Sequence, residues 1–235
     1  LQAFENGHLP VLLEKCTTPL VEHFLKHLEE TRKPSPKTYN HYRNTLAAVF
    51  NHFRKRGTIP RNPVEPIPSK RVPKGVFHKP LTLEEVSQIR KLAMEKGDAQ
   101  FVLFMGLAFY TLARPGKELR FLRVGDISEN WIWIQPENSK PGEGRRIEIL
   151  PSLKKIIALY NLQQYNREHF LFTAQGVPGP EPVGHKYFYK RQIKYLAELG
   201  LQDRGHDLYC FKHSGCCLLM KSGFSIYQIQ QMLGA

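Results

Sequence analysis

Leu112-Ala113-Arg114-Pro115-Gly116-Lys117-Glu118-Leu119 follows a wholly apolar run, and Tyr209-Cys210-Phe211-Lys212-His213-Ser214-Gly215 opens a later one. The first stretch puts an arginine on a Pro-Gly turn directly after a buried helix, where a cation has no packing purpose beyond capping the helix end. The second sets Lys212 and His213 in an otherwise aromatic and apolar segment. Between them, Trp131-Ile132-Trp133-Ile134 reads as a strand, Arg145-Arg146-Ile147-Glu148-Ile149-Leu150 as its partner, and Ser139-Lys140-Pro141-Gly142-Glu143-Gly144 as the turn of a β-hairpin. Helices at about 83–96, 98–112, 151–165, 185–199, 208–222 and 225–233 surround this hairpin. The first of these has a capping box, with Thr82 as N-cap and Glu85 three residues on.

Upstream, Thr17-Thr18-Pro19 starts a helix whose Leu20, Val21, Phe24, Leu25 and Leu28 share one face. Pro34-Ser35-Pro36 breaks it. A second helix carries Tyr42, Leu46, Val49, Phe50 and Phe53 on one side and stops at Gly57. From Ile59 to Lys74 five prolines exclude a helix interior and favour an extended linker. The expected organisation is therefore a helical domain over 1–58, a basic Pro-rich linker over 59–79 and a larger domain over 80–235. The fold class is mainly α with a small antiparallel β-sheet.

The chain has 235 residues, with 34 Lys and Arg against 21 Asp and Glu, a formal charge of +13. The composition is that of a folded chain, and no apolar run reaches the length of a membrane span. Four cysteines without a CxxC pair give neither a disulfide scaffold nor a zinc module. Glycine-rich phosphate loops, HExxH and GxSxG are missing, so dinucleotide binding, zinc peptidase and serine hydrolase chemistry are set aside. No cofactor and no metal are expected. The N-terminus has no signal-peptide pattern and no initiator Met, which reads as a cytoplasmic fragment.

The charge is concentrated. Thr31 to Lys74 holds eleven Lys and Arg and a single acid, Glu65, with Tyr39, Tyr42, Phe50 and Phe53 interleaved. Lys37, Tyr42, Arg43, Arg54, Lys55, Arg56, Lys70, Arg71 and Lys74 are the candidate contacts to a phosphate backbone, joined by Lys190 and Arg191 on the helix before the second stretch. The plain alternative for each is a solvated surface.

Taken in order, these islands resemble the tyrosine recombinases, or phage-integrase family. Its pattern runs T-G-x-R-x-x-E-L, a Lys in a β-hairpin, H-x-x-R-H, L-G-H and then a nucleophilic Tyr. Lys212 precedes Gly223 by 11 residues and Gly234 by 22, as the second Arg of the family precedes its two glycines. The resemblance implies double-stranded DNA as partner, assembly into a synaptic tetramer, a nucleoid-associated location, and strand cleavage and rejoining through a 3′-phosphotyrosine. It makes 1–58 a core-binding domain and 80–235 an incomplete catalytic domain whose nucleophile lies past Ala235.

By the same resemblance Arg114 is the first activating arginine and Lys140 the hairpin general acid. Lys212 stands at the second arginine, Tyr209 where a His is usual, and His213 where the next His falls. The chemistry is consistent with these types: cations offset charge on the non-bridging oxygens, and a lysine protonates the leaving 5′-oxygen. Lys212 gives up the planar fork of an arginine, and the Arg114 turn is one residue longer than the pattern. Structural alternatives stay open: Arg114 as a helix cap, Lys140 as an ordinary turn cation, Lys212 at the surface, His213 in the core. Two other functions also remain: a non-catalytic DNA-binding protein of the same descent, and a type IB topoisomerase-like enzyme.

Overall fold

The computed structural model describes residues 12–73 and 79–234. The chain divides into two compact units, Leu1–Gly75 and Val76–Ala235.

In the first unit, α1 (Thr18–Arg32) and α2 (Pro36–Lys55) form a helical hairpin. Proline opens both helices, and Ser35 caps α2 by accepting from the Thr38 amide at 3.2 Å. Val21 and Leu25 of α1 pack with Tyr39 and Phe50 of α2. The Pro-rich segment corrects the linker reading over its first half. Ile59, Val64 and Ile67 are buried in the same core. Buried Asn62 donates to the Ala47 carbonyl at 3.0 Å, Arg43 Nε donates to the Ile67 carbonyl at 2.6 Å, and Asn40 exchanges two 2.8 Å bonds with the Lys70 backbone. The prolines stiffen this path, but the apolar residues between them decide where it lies, because burying three aliphatic side chains outweighs leaving the segment solvated.

In the second unit, α3 (Leu83–Glu95) begins at the Thr82–Glu85 capping box. It leads through the Asp98 cap to α4 (Ala99–Thr111), which is buried on nearly every side. A one-turn helix α5 (Lys117–Arg120) precedes strands β1 (Trp131–Ile134) and β2 (Arg145–Glu148), paired antiparallel with Ile132 opposite Ile147 and Ile134 opposite Arg145. Ile132, Ile134, Ile147 and Ile149 face the core, and Trp131, Arg146 and Glu148 face outward. Then follow α6 (Pro151–Ala158), α7 (Tyr187–Glu198), α8 (Tyr209–Lys221) and α9 (Ile226–Leu233). The helix expected to reach Tyr165 stops at Ala158, because Asn161 adopts a left-handed φ of 43° that ends helical bonding.

Around α4, Phe101, Phe104, Phe172, Phe188 and Phe211 pack ring to ring, with Phe104 and Phe188 stacked at 3.8 Å between centroids. Helix α8 crosses α4 so closely that a Cβ on Gly215 would lie 1.8 Å from the Phe109 carbonyl oxygen. Only a glycine permits this crossing, and the crossing fixes which face of α8 meets the end of α4. The mainly helical architecture with one small antiparallel sheet is the expected fold class.

Candidate active site

Arg114 follows α4 directly. Leu112 ends that helix in a left-handed conformation, φ 55°, and turns the chain toward α5. Arg114 does not cap α4. Its Nη1 donates to Glu118 Oε1 at 2.5 Å, and its backbone amide donates to Glu118 Oε2 at 2.7 Å. The extra residue in the Pro115-Gly116 turn thus leaves the Arg–Glu pair one helical turn apart and in contact. Glu118 is buried. Arg145, from β2, meets the same carboxylate side-on, Nη1 to Oε1 at 3.2 Å and Nη2 to Oε2 at 2.8 Å. Burial alone would raise the Glu118 pKa, but hydrogen bonds from Arg145 and Arg114 overcome it and hold the group below the ordinary carboxylate range.

Lys212 reaches this cluster from α8 and is 7% exposed. Its pKa is pushed down to about 8, first by burial and then by the positive charge of Arg114 and Arg145, with Glu118 opposing. The surface alternative for Lys212 is therefore excluded. Two guanidinium groups bond one carboxylate, and the Lys212 ammonium lies within electrostatic reach of all three, which gives a net charge of +2 when all are ionised.

Tyr209 and His213 lie on α8 one turn apart, their ring centroids 6.5 Å apart and 31° from parallel. With Lys212 and Cys216 they occupy positions i, i+3, i+4 and i+7, one face of the helix. His213 is half-buried, not in the closed core. The Tyr209 amide donates to Asp207 Oδ1 at 3.0 Å, which orders the entry to α8. Lys140 sits exposed on the hairpin turn, between Ser139 and Pro141. The root of that hairpin is anchored at the site by Arg145, while its tip faces solvent.

The other sequence candidates divide. Arg54, Lys55 and Arg56 are exposed at the end of α2, as are Lys37, Arg71 and Lys190. Lys74 lies outside the described residues. Four candidates have partners within the protein. Tyr42 packs against the first unit's core, and Arg43 is spent on the Ile67 carbonyl. Lys70 pairs with Glu29 and lies over the Tyr39 ring, 4.5 Å from its centroid. Arg191 pairs with Asp98 at 2.5 Å, bonds the Tyr187 hydroxyl and covers the Tyr187 ring at 4.3 Å. The sequence alone does not show these partners, which only the fold brings near.

Two members of the cluster were not among the expected site residues, Glu118 and Arg145. Arg145 carried a readable signal. It shares strand parity with Ile147 and Ile149, so it points to the core side, and a buried guanidinium there requires an anionic partner.

The fold is similar to that of solved lambda integrase and XerH recombinase structures, and the sequence is similar to that of a curated tyrosine recombinase. A tyrosine recombinase of Thermosipho africanus (strain TCF52B) is 28% identical over 91% of this chain and 74% of its own length. Among solved structures, a lambda integrase dimer bound to a COC′ core site superposes with a TM-score of 0.77 at 20% identity, covering 100% of this chain and 84% of that one. XerH site-specific recombinase bound to its difH substrate gives 0.66 at 19% identity, over 94% and 65%. No protein-family model matches the chain. No described helix is long and apolar enough to cross a membrane.

Proposed function

We propose that this chain is the DNA-binding and phosphate-activating part of a site-specific recombinase or integrase. It binds double-stranded DNA and cleaves and rejoins strands through a 3′-phosphotyrosine. The observation that carries the reading is the surplus of positive charge at the Glu118 cluster. A purely structural cluster gains most from neutrality, since unbalanced buried charge is costly. Here Arg114 remains partly exposed beside a lysine whose proton is loosely held, an arrangement that a phosphodiester dianion-like transition state would complete.

In this reading Arg114 and Lys212 hold the non-bridging oxygens. Tyr209 and His213 offer hydrogen bonds from the adjoining helix turn, and Lys140 swings in on the hairpin to protonate the leaving 5′-oxygen. Attack by a tyrosine hydroxyl forms the P–O bond as the 5′-oxygen leaves, and reversal by a second 5′-hydroxyl restores the backbone without an external energy source. The exposed cations Lys37, Arg54, Lys55, Arg56, Arg71 and Lys190 add sequence-independent backbone contacts. Related solved structures include a lambda integrase tetramer bound to a Holliday junction. A tetramer on DNA is the assembly expected of this chain's protein, and the nucleoid its place of work.

A nicked duplex that loses a short fragment on cleavage traps the covalent adduct. The expected result is a protein–DNA band that Arg114→Ala abolishes, formed by the reading frame carried past Ala235. DNA binding without an adduct would instead support the non-catalytic reading, which the replacement of an arginine fork by Lys212 favours. Relaxation of a plasmid lacking any target site would favour the topoisomerase-like one.

A further inference from the structure

Arg145 is spent on holding. Its Nε donates to the Met232 carbonyl at the end of α9, at 3.2 Å, while both terminal nitrogens reach Glu118. That fixes the guanidinium plane at three points, and its side chain is only 10% exposed. The Arg114 side chain, twice as exposed at 20%, is tied to Glu118 by one guanidinium nitrogen. The Glu118 carboxylate accepts four hydrogen bonds in all, two from each arginine, which uses its full lone-pair capacity. It therefore has no freedom to rotate without breaking bonds to one arginine or the other.

Gly234 closes the arrangement from the other side. It is left-handed at φ 63°, and a Cβ there would lie 2.8 Å from Arg145 Nη1 and 3.1 Å from its Cζ. The Leu-Gly pair at the end of α9 thus leaves room for the arginine as well as ending the helix.

Resting on the function proposed above, we propose that Arg145 is a positioning residue. It locks the Glu118 carboxylate, and with it the Arg114 guanidinium, in the orientation that receives phosphate, and it makes that orientation depend on the seating of the α9 end. Charge is the smaller part of its role and fork geometry the larger, so lysine is a poor substitute.

The test titrates inorganic phosphate into the 235-residue chain and follows the Arg114 Nε–H resonance, assigned by its loss in Arg114→Lys. Arg145→Lys keeps the charge and removes the fork. Phosphate affinity is expected to fall at least tenfold, measured well below the variant's own melting temperature, which drops because Glu118 and the Met232 carbonyl lose bonds. Unchanged affinity in Arg145→Lys, while Arg114→Lys abolishes binding, would overturn the positioning role and leave the phosphate site standing. Absence of any Arg114-dependent phosphate binding in the unsubstituted chain would overturn the site itself, and the positioning role with it. If Arg145→Lys does not fold, Gly234→Ala decides. It crowds the guanidinium without removing a charge, so the same tenfold loss is expected, and full affinity would refute the proposal.

Discussion

Replacing Lys212 with Met should make the protein more stable, and the gain should vanish with rising pH. Lys212 is almost fully buried and its pKa stands at about 8 rather than 10.5, because burial and the neighbouring Arg114 and Arg145 disfavour its charged form. Below pH 8 the lysine is protonated in both folded and unfolded chains, and holding that charge costs the folded state about 3 kcal/mol. Between pH 8 and 10.5 the folded chain releases the proton while the unfolded chain keeps it. The unfolded state then binds more protons, and folding stability rises with pH. Above 10.5 neither state is charged at this position and the cost is gone.

Methionine fills a similar volume without the charge. The variant should therefore gain about 3 kcal/mol at pH 7, about 2 at pH 9 and less than about 1 at pH 10. Tyr160 and Tyr195, whose pKa values are raised chiefly by burial, also bend the stability curve at high pH. They are present in both proteins, so the difference isolates Lys212. Urea denaturation of the two proteins in phosphate-free buffer at pH 7, 8, 9 and 10 measures it. Adding a DNA duplex at pH 7 should narrow the gap, because an anion beside Lys212 stabilises the parent more than the variant that lacks this charge. A variant less stable than its parent, or a gain that does not change with pH, would refute the argument that Lys212 is kept at a cost to the fold.

Four other outcomes follow from the same geometry. Gly215→Ala forces a methyl group against the Phe109 carbonyl of α4 and should cost about 3 kcal/mol or prevent folding, read by thermal melting. Ser214→Ala removes the buried hydroxyl that accepts from the Leu81 amide at 2.8 Å and donates to its carbonyl at 2.7 Å; a loss of about 2 kcal/mol is expected, with faster amide exchange at residues 81–83. Changing Arg54, Lys55 and Arg56 together to Gln should lower the salt slope of duplex binding by about 3 with little change in melting temperature. Arg191→Gln should lower the melting temperature, because it breaks the Asp98 pair, and leave the salt slope unchanged.

The same contrast between exposed and partnered cations explains what could be read from the sequence. The helices, their caps and the hairpin were legible because periodicity and capping chemistry are local. Thr82 and Glu85 form the capping box that their spacing announces, and Pro19 opens α1 where it stands. Order and spacing of the islands likewise pointed to Arg114 and Lys212, which do come together. Destinations were not legible. A lysine or arginine reads as basic wherever it falls, but Lys70, Arg43 and Arg191 each find a partner far along the chain, and only the fold brings those partners near. Ile59, Val64 and Ile67 were hidden for a related reason. Between prolines they show no period, so nothing local marks them as core. Arg145 is the instructive middle case, since strand parity assigns it to the inward face before any contact is known. A cation on a face that must be dry implies an acid to meet it, and Glu118 is the acid already fixed beside the first arginine. The basic residues behind the net charge of +13 therefore fall in three settings: cations exposed on the surface, cations bonded within the fold, and the small excess beside Glu118. Only the last of these is gathered from separate elements, the α4–α5 turn, β2 and α8, onto one point, and that convergence is what the proposed phosphate chemistry rests on.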